Sequence, residues 1–202
     1  MSINIEYNNK DIINVVTSNI LKMLKRRSII DNDEKTFSEI SEDITKKAII
    51  EFKVKDNSKY SIYFVNAKLS SIGQGTPVDE YLSSNLEIHK IIILKDAAKK
   101  VLKQILTEYK NAEFFFEHEM LEDIPLKSFI PIHQILNDIE KQELLNKFSE
   151  SELSIILDTD MMSRYYNAKV GDIFKIIRPS LSSGTSIFYR RVNHGSLDMI
   201  YC

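Results

Sequence analysis

A chain of 202 residues, 43% hydrophobic and 28% charged, is long enough to bury one or two cores without covalent staples. A formal net charge of −2 excludes a general polycation, and the single cysteine, Cys202, excludes an internal disulfide or a cysteine zinc cluster and points to a reducing compartment. No apolar run reaches the roughly 20 residues of a membrane-spanning helix, and "MSINIEYNNKD" lacks the basic start and apolar middle of a signal peptide, so no membrane partner is expected.

The first periodic stretch, "DIINVVTSNILKMLKRR", puts Ile12, Val15, Val16, Ile20 and Leu24 on one helical face. Its basic end, Lys22, Lys25, Arg26 and Arg27, suits the negative end of the helix dipole or a phosphate-facing patch. "TFSEISEDITKKA" predicts a second helix, with Thr36 and Glu39 as a capping box and Phe37, Ile40 and Ile44 at helical spacing. The period then changes to two. "IIEFKVKD" and "KYSIYFV", separated by Asp56-Asn57-Ser58, predict a β-hairpin with one buried face. A short helix is expected after Pro77, and "HKIIIL" reads as a strand buried on both faces. "DAAKKVLKQILTEY" predicts a helix capped by Asp96, with Ala97, Val101, Leu102, Ile105 and Leu106 inward, and "AEFFFEHEML" returns as a strand. This order makes residues 1–120 an α/β domain, a small mixed sheet with helices against it.

"EDIPLKSFIPIHQIL" contains Pro125 and Pro131 and has no strong period, so a linker is placed at 121–127. Residues 128–202 form the second domain, a small α+β unit. Asn137 and Glu140 form a capping box, and Leu144, Leu145 and Phe148 face inward from the helix that follows. Three short strands come after it, in "LSIILD", "IFKIIRP" and "IFYRRV".

Catalytic patterns are sparse. Glu51 and Lys53 lie on one face of a strand, the arrangement that holds a magnesium ion in many nucleases, so a metal-dependent nuclease is the enzyme alternative. The nearest upstream acid is Asp43, in a helical segment. His89, His118, His133 and His194 share no metal-ligand spacing, and Gly73-Gln74-Gly75 is too short for a phosphate loop. His133, in "PIH" ahead of a helix, suits a capping or hydrogen-bonding role. No metal or cofactor is expected.

The cationic residues are unevenly distributed. Residues 1–125 hold 16 of 21 lysines and two of six arginines, whereas residues 126–202 hold five lysines and four arginines. Arginine recognises carboxylates and backbone oxygens in a planar, bidentate way that lysine cannot match. Arg164, Arg178, Arg190 and Arg191 all stand near strand ends or turns beside Tyr165, Tyr166, Phe174, Phe188 and Tyr189. Arginine and tyrosine dominate interface hot spots, so the last 50 residues read as a docking surface.

"IPIHQILNDIEKQELLNKF" followed by "DTDMMSRYYNAKVGDIFKIIRPSLSSGTSIFYRRV" closely resembles the C-terminal domain of the fifth subunit of eukaryotic nuclear RNA polymerases, a family that has a counterpart in archaeal polymerases. The residues that carry the resemblance are Ile130-Pro131-Ile132-His133, Leu144-Leu145, Asp160, Arg164-Tyr165, Lys169, Gly171, Lys175-Ile176, Arg178-Pro179-Ser180, Gly184 and Tyr189 to Val192. The order of elements over residues 1–120 is collinear with the family's N-terminal part. Met161 stands where the family usually has proline, Asn167 where glycine is common, and Lys95-Asp96-Ala97-Ala98 where the family has a Thr-Pro-Ser-Ala-like loop. "NHGSLDMIYC" runs past the family's usual end.

The resemblance implies a non-catalytic polymerase subunit. It would have a jaw domain of nuclease-like but inactive topology near downstream duplex DNA, and an assembly domain docked on the largest subunit among other polymerase subunits. Arg164, Tyr165, Lys175, Arg178, Tyr189 and Arg190 are expected to hold the assembly domain's turns and make the docking contacts. Lys22, Lys25, Arg26, Lys95 and Lys99 are the candidates for facing DNA. The isoleucine- and asparagine-rich composition suggests an AT-rich genome, such as that of a large DNA virus or a divergent protist. The expected location is the site of transcription: virion and host cytoplasm if viral, nucleus if cellular.

Overall fold

The computed structural model describes residues 9–44, 49–180 and 184–201, and the chain divides into two compact units between Asp123 and Ile124. The division falls inside the stretch expected as a linker.

The first unit opens with two helices, α1 (Asn9–Arg26) and α2 (Asp33–Ile44). The hairpin follows as β1 (Ile49–Lys53) and β2 (Lys59–Leu69), then α3 (Pro77–Ser83), β3 (Ile88–Ala97), α4 (Lys99–Glu108) and β4 (Ala112–Phe116). The sheet order is β1-β2-β3-β4, with β1 antiparallel to β2 and the other two pairs parallel. Each parallel step is bridged by a helix, α3 and then α4, as a βαβ connection requires. The central strand β3 carries Ile91, Ile92, Ile93 and Leu94, all buried, which is why it reads as an unbroken apolar run. Helix α1 buries Val16, Ile20, Leu21, Met23 and Leu24 and packs on α2 and on the 3-10 turn Glu117–Met120. Buried Lys90 on β3 donates from Nζ to the carbonyl oxygens of Leu82 (2.8 Å) and Ser84 at the end of α3, where the helix dipole favours a cation.

Helix α2 starts three residues before Thr36. Asn32 accepts the Lys35 N–H at 3.0 Å through Oδ1, while Thr36 turns its own hydroxyl back onto the Asn32 carbonyl at 2.8 Å. Asparagine competes well for this position, so the helix begins about one turn ahead of the expected capping box. Asp96 is likewise no cap. Strand β3 runs on through Ala97 because β2 also continues, pairing Lys68 with Asp96, and Lys68 binds the Asp96 carboxylate at 2.7 Å. Ala98 stands at the N-cap of α4 without a side-chain bond. Leu106 is exposed, since the face of α4 that packs inward is Val101, Leu102 and Ile105.

An ion cluster joins the basic end of α1 to the sheet. Arg27 donates through Nη1 and Nη2 to both carboxylate oxygens of Glu113 on β4, at 2.7 and 2.8 Å. Nε2 of His89 on β3 lies 2.6 Å from the same carboxylate. Burial alone would raise the Glu113 pKa, but Arg27 and His89 outweigh it and hold it at about 2.

The second unit contains β5 (Ile132–Ile135), α5 (Asp138–Leu145), β6 (Ser154–Leu157), α6 (Met161–Tyr165), β7 (Ile173–Ser180) and β8 (Gly184–Asn193). Its sheet order is β5-β7-β8-β6, with β5 and β8 antiparallel to β7 and β6 parallel to β8. The Asn137–Glu140 capping box is reciprocal, at 2.9 and 3.0 Å. Strand β5 is hidden in the sequence by the prolines ahead of it and its length of four residues. His133 therefore lies on a strand, not ahead of a helix, and its Nδ1 sits 2.7 Å from the Pro131 carbonyl. Phe148 is exposed rather than inward, and Leu144 alone of the three expected residues is fully buried. Asn167 does adopt a left-handed backbone, φ 52°, as the glycine it replaces would. Gly171, φ 94°, turns the chain into β7 and donates its N–H to the Val192 carbonyl at 2.9 Å. Beyond β8, Asp158 accepts the Gly195 N–H at 2.8 Å, and a Cβ at Gly195 would collide with Thr159 and Leu157.

Glu113 is ionised in the folded state far below the ordinary carboxylate pKa of 4.5. Its contribution, on the order of 3 kcal/mol, is complete above about pH 4.5 and disappears as pH falls towards 2. Denaturant titrations across that range should show this loss, and Glu113→Gln should remove most of it and lower stability at pH 7.

Candidate docking surface

Strand pairing sorts the aromatic and cationic residues of the second unit onto opposite faces. Ile176 stands across from Phe188 and Phe174 from Arg190, so both pairs, together with Arg178, share one face. Lys175 stands across from Tyr189, and Ile177 from both Ile132 and Ile187, on the other face. The six candidate residues therefore do not form one patch. Arg178 and Arg190 lie on the first face, Lys175 and Tyr189 on the second, and Arg164 and Tyr165 on α6.

Of the two roles expected of Tyr165, holding a turn and making contacts, its burial suits the first. It is 1% exposed, and its ring begins an edge-to-face series that runs to Tyr166 (5.3 Å), Phe174 (6.1 Å) and His133 (5.7 Å). This series fastens α6 to the first face over the small core of Ile156, Ala168, Phe174, Ile176 and Val192. Asp160 caps α6 by accepting the Met162 N–H at 2.8 Å, so Met161 is accommodated where proline is usual. Arg164 is half-buried on α6, with Nη2 3.2 Å from the Met161 sulfur.

Helix α6 covers only part of the first face. The remainder is a groove of about 570 Å³ lined by Pro131, His133, Ile156, Ile176 and Phe188, with Met162 and Asp160 along α6 and Arg178 and Arg190 opening onto it. The Arg178 guanidinium lies 4.2 Å from the centre of the Phe188 ring, a cation–π stack that fixes its plane. Burial pushes the His133 pKa down. Arg178 and Arg190 form no salt bridge among the described residues, whereas Arg191, on the opposite face, binds Glu150 at 2.7 Å.

The second face is apolar and open. Ile132, Ile177 and Ile187 form a continuous row across three strands; Ile132 is 61% and Ile187 50% exposed, and Ile155 is exposed at the far strand. Phe129 and this isoleucine row are contact candidates that the sequence reading did not single out. The alternation of β8 was the available signal, but it needed a known strand register to be read. Twelve large apolar side chains are exposed among the described residues; ten belong to the second unit, and only Leu86 and Leu106 to the first.

In the first unit, several of the DNA-facing candidates are already engaged by acids. Lys25 binds Asp33 at 2.7 Å and Arg26 binds Asp123 at 2.6 and 2.8 Å, while Lys22 lies 3.4 Å from the Asn19 side-chain oxygen. Lys95 and Lys99 are exposed where β3 ends and α4 begins. Glu51 and Lys53 are both exposed on one face of β1, where Lys53 pairs across the ladder with Lys59, while Glu51 stands opposite Ser61 and lines a hollow with Tyr63 and Tyr81. Among the described residues, no group of three acidic, histidine or cysteine side chains is placed to hold a metal ion.

The family described as RNA polymerase Rpb5, C-terminal domain, matches residues 122–192, the stretch that contains both sheet faces and α6. DNA-directed RNA polymerase subunit 5 of Acanthamoeba polyphaga mimivirus is 30% identical over 195 residues, covering 91% of this chain and 93% of that protein. The chain belongs to the Rpb5 family. A subunit of DNA-directed RNA polymerases I, II and III from Dictyostelium discoideum is 32% identical over 146 residues, covering 67% and 74% of the two chains. The corresponding Caenorhabditis elegans subunit is 34% identical over 98 residues, 48% and 46%. The similarity to the mimivirus protein extends through both units, so the Rpb5 relationship includes the first unit as well as the second.

The split between core and surface roles can be measured. Tyr165→Ala should destabilise the protein by about 3–5 kcal/mol, as loss of a buried aromatic does. Arg178→Gln and Arg190→Gln, both on the open surface, should each stay within about 0.5 kcal/mol of the parent in denaturant unfolding.

Proposed function

We propose that the chain is a non-catalytic subunit of a multisubunit DNA-dependent RNA polymerase. Its second unit docks on the largest subunit, and its first unit serves as a jaw lining the path of downstream DNA. The observation that carries this reading is the imbalance of exposed apolar surface. Among the described residues the first unit leaves two large apolar side chains exposed, whereas the second leaves ten, on both sheet faces and along the segment that leads into β5. Exposed apolar area concentrated in one unit is the signature of a surface made for a permanent partner. Membership in the Rpb5 family gives that partner its class, and the relatives described above are named as polymerase subunits. A viral source is favoured by the relative that matches over nearly its whole length. The protein then works where transcription takes place: virion and host cytoplasm for a virus, nucleus for a cell.

The division of labour follows from the chemistry of each unit. The second unit offers apolar faces with a few planar cations, which suits protein. The first offers lysines, of which Lys95 and Lys99 lie exposed at one end of the sheet, which suits phosphate. With a net charge of −2, the isolated subunit should bind duplex DNA weakly and act on it only as part of the assembly. The jaw role needs no reaction centre.

Affinity purification of the tagged full chain from the cells or infected cells that express it should recover the largest polymerase subunit. Ile187→Asp, which puts a charge at one end of the open isoleucine row, should cut that recovery at least tenfold while leaving the melting temperature near that of the parent. Recovery without any polymerase subunit would refute the reading. For the jaw, Lys95→Gln with Lys99→Gln should flatten the salt dependence of downstream-DNA binding by the assembled polymerase, by about one unit of log–log slope per lost phosphate contact.

A further inference from the structure

The groove on the first face of the second unit has a composition that selects its occupant. Its floor is apolar, formed by Ile156, Ile176 and Met162. Two guanidiniums open onto it, and neither has a carboxylate partner among the described residues. Arg178 is not a loosely held surface cation, because its plane is set by the stack on Phe188 at 4.2 Å. The carboxylate on the groove wall, Asp160, is committed to capping α6 through the Met162 N–H at 2.8 Å.

An occupant that covered this floor with apolar groups alone would strip water from two guanidiniums and give nothing in return. Unpaired buried charge is among the most destabilising features an interface can contain. An occupant that was only anionic, such as a nucleic-acid backbone, would leave the apolar floor wet and would meet two cations instead of a series. The volume, about 570 Å³, admits a few side chains rather than a helix. We infer that this groove receives a short segment of the largest polymerase subunit that presents an aspartate or glutamate to Arg178 and Arg190 beside an aliphatic side chain that fills the floor. The inference rests on the docking role of the second unit proposed above and adds the chemistry of the segment docked.

Phe129 lines the same groove and is 78% exposed, so it can be replaced without disturbing the Arg178–Phe188 stack. The test uses the full chain with a photoreactive benzoylphenylalanine at Phe129, assembled into its polymerase, irradiated and mapped by mass spectrometry. The expected crosslink is to a segment of the largest subunit with an acidic residue within a few positions of the attachment point. In parallel, Arg178→Gln with Arg190→Gln should lower recovery of that subunit on the order of tenfold or more while the variant unfolds like the parent, and Arg178→Lys with Arg190→Lys should restore part of it. A crosslink to nucleic acid, to a segment without acidic residues or to nothing overturns the inference, as does unchanged recovery with the double glutamine variant. In those cases the unaltered chain still recovers polymerase, and the broader docking role stands. If the unaltered chain recovers no polymerase subunit, both readings fall.

Discussion

The pairing of β7 with β8 is the constraint from which the second unit's behaviour follows. Side chains on a strand alternate between faces, and the register Ile176 to Phe188 assigns every residue of both strands to one side or the other. One side receives Phe174, Ile176 and, from β8, Val192, which supply a core for α6 to cover. The other receives Ile177, Ile187 and Tyr189. The short helix α6 is fastened to the sheet by the aromatic series through Tyr165 and Tyr166, while ten large apolar side chains of the unit stay exposed among the described residues. A four-stranded sheet with apolar groups on both faces and a helix over part of one is an incomplete sandwich.

The first unit resolves the same problem internally. Its central strand β3 is apolar on both faces and is covered, with flanking helices supplying Val16, Ile20 and Leu24 from α1 and Val101, Leu102 and Ile105 from α4. Its buried charges are likewise matched. The Arg27 guanidinium meets a carboxylate with two oxygens, His89 meets the same carboxylate, and Lys90 meets two carbonyl oxygens. The basic end of α1 illustrates how charge in a sequence can mislead about charge at a surface. Of its cations, Lys25, Arg26 and Arg27 are all matched by acids, two of them, Glu113 and Asp123, nearly a hundred residues away in the chain.

Most of the elements were legible because their hydrophobic period is clean. The change from a helical period to a two-residue period at Ile50 marks the hairpin, and the unbroken run from Ile91 to Leu94 marks the buried parallel strand. What was not legible depends on competition between neighbours. Asn32 and Thr36 could each cap α2, and the asparagine does so. Asp96 could cap α4 or continue β3, and it continues the strand because Lys68 stands opposite it. Strand β5 has four residues between a proline and a capping asparagine, too short for a period, and only β7 gives it a partner. The cationic and aromatic candidates could be picked out by type but not assigned to a side. Arginine beside tyrosine marks an interface, yet Tyr165, the tyrosine in the most suggestive context, is the most deeply buried of the six.

That last difference bears on how a small assembly module keeps its shape while exposing so much apolar surface. A tyrosine can serve as contact or as core, and the second unit uses the two cases differently. Tyr165 and Tyr166 spend their rings inward, on a helix of five residues that could not persist without them. Tyr189 stays at half-exposure between Lys175 and the isoleucine row. The inward pair keeps α6 on the sheet, which holds Asp160 and Met162 at one wall of the groove opposite Arg178 and Phe188. The surface offered to a partner is therefore shaped before the partner arrives, and little ordering entropy remains to oppose association. Rigidity of the buried aromatics and availability of the exposed ones are two outcomes of the same alternating strand.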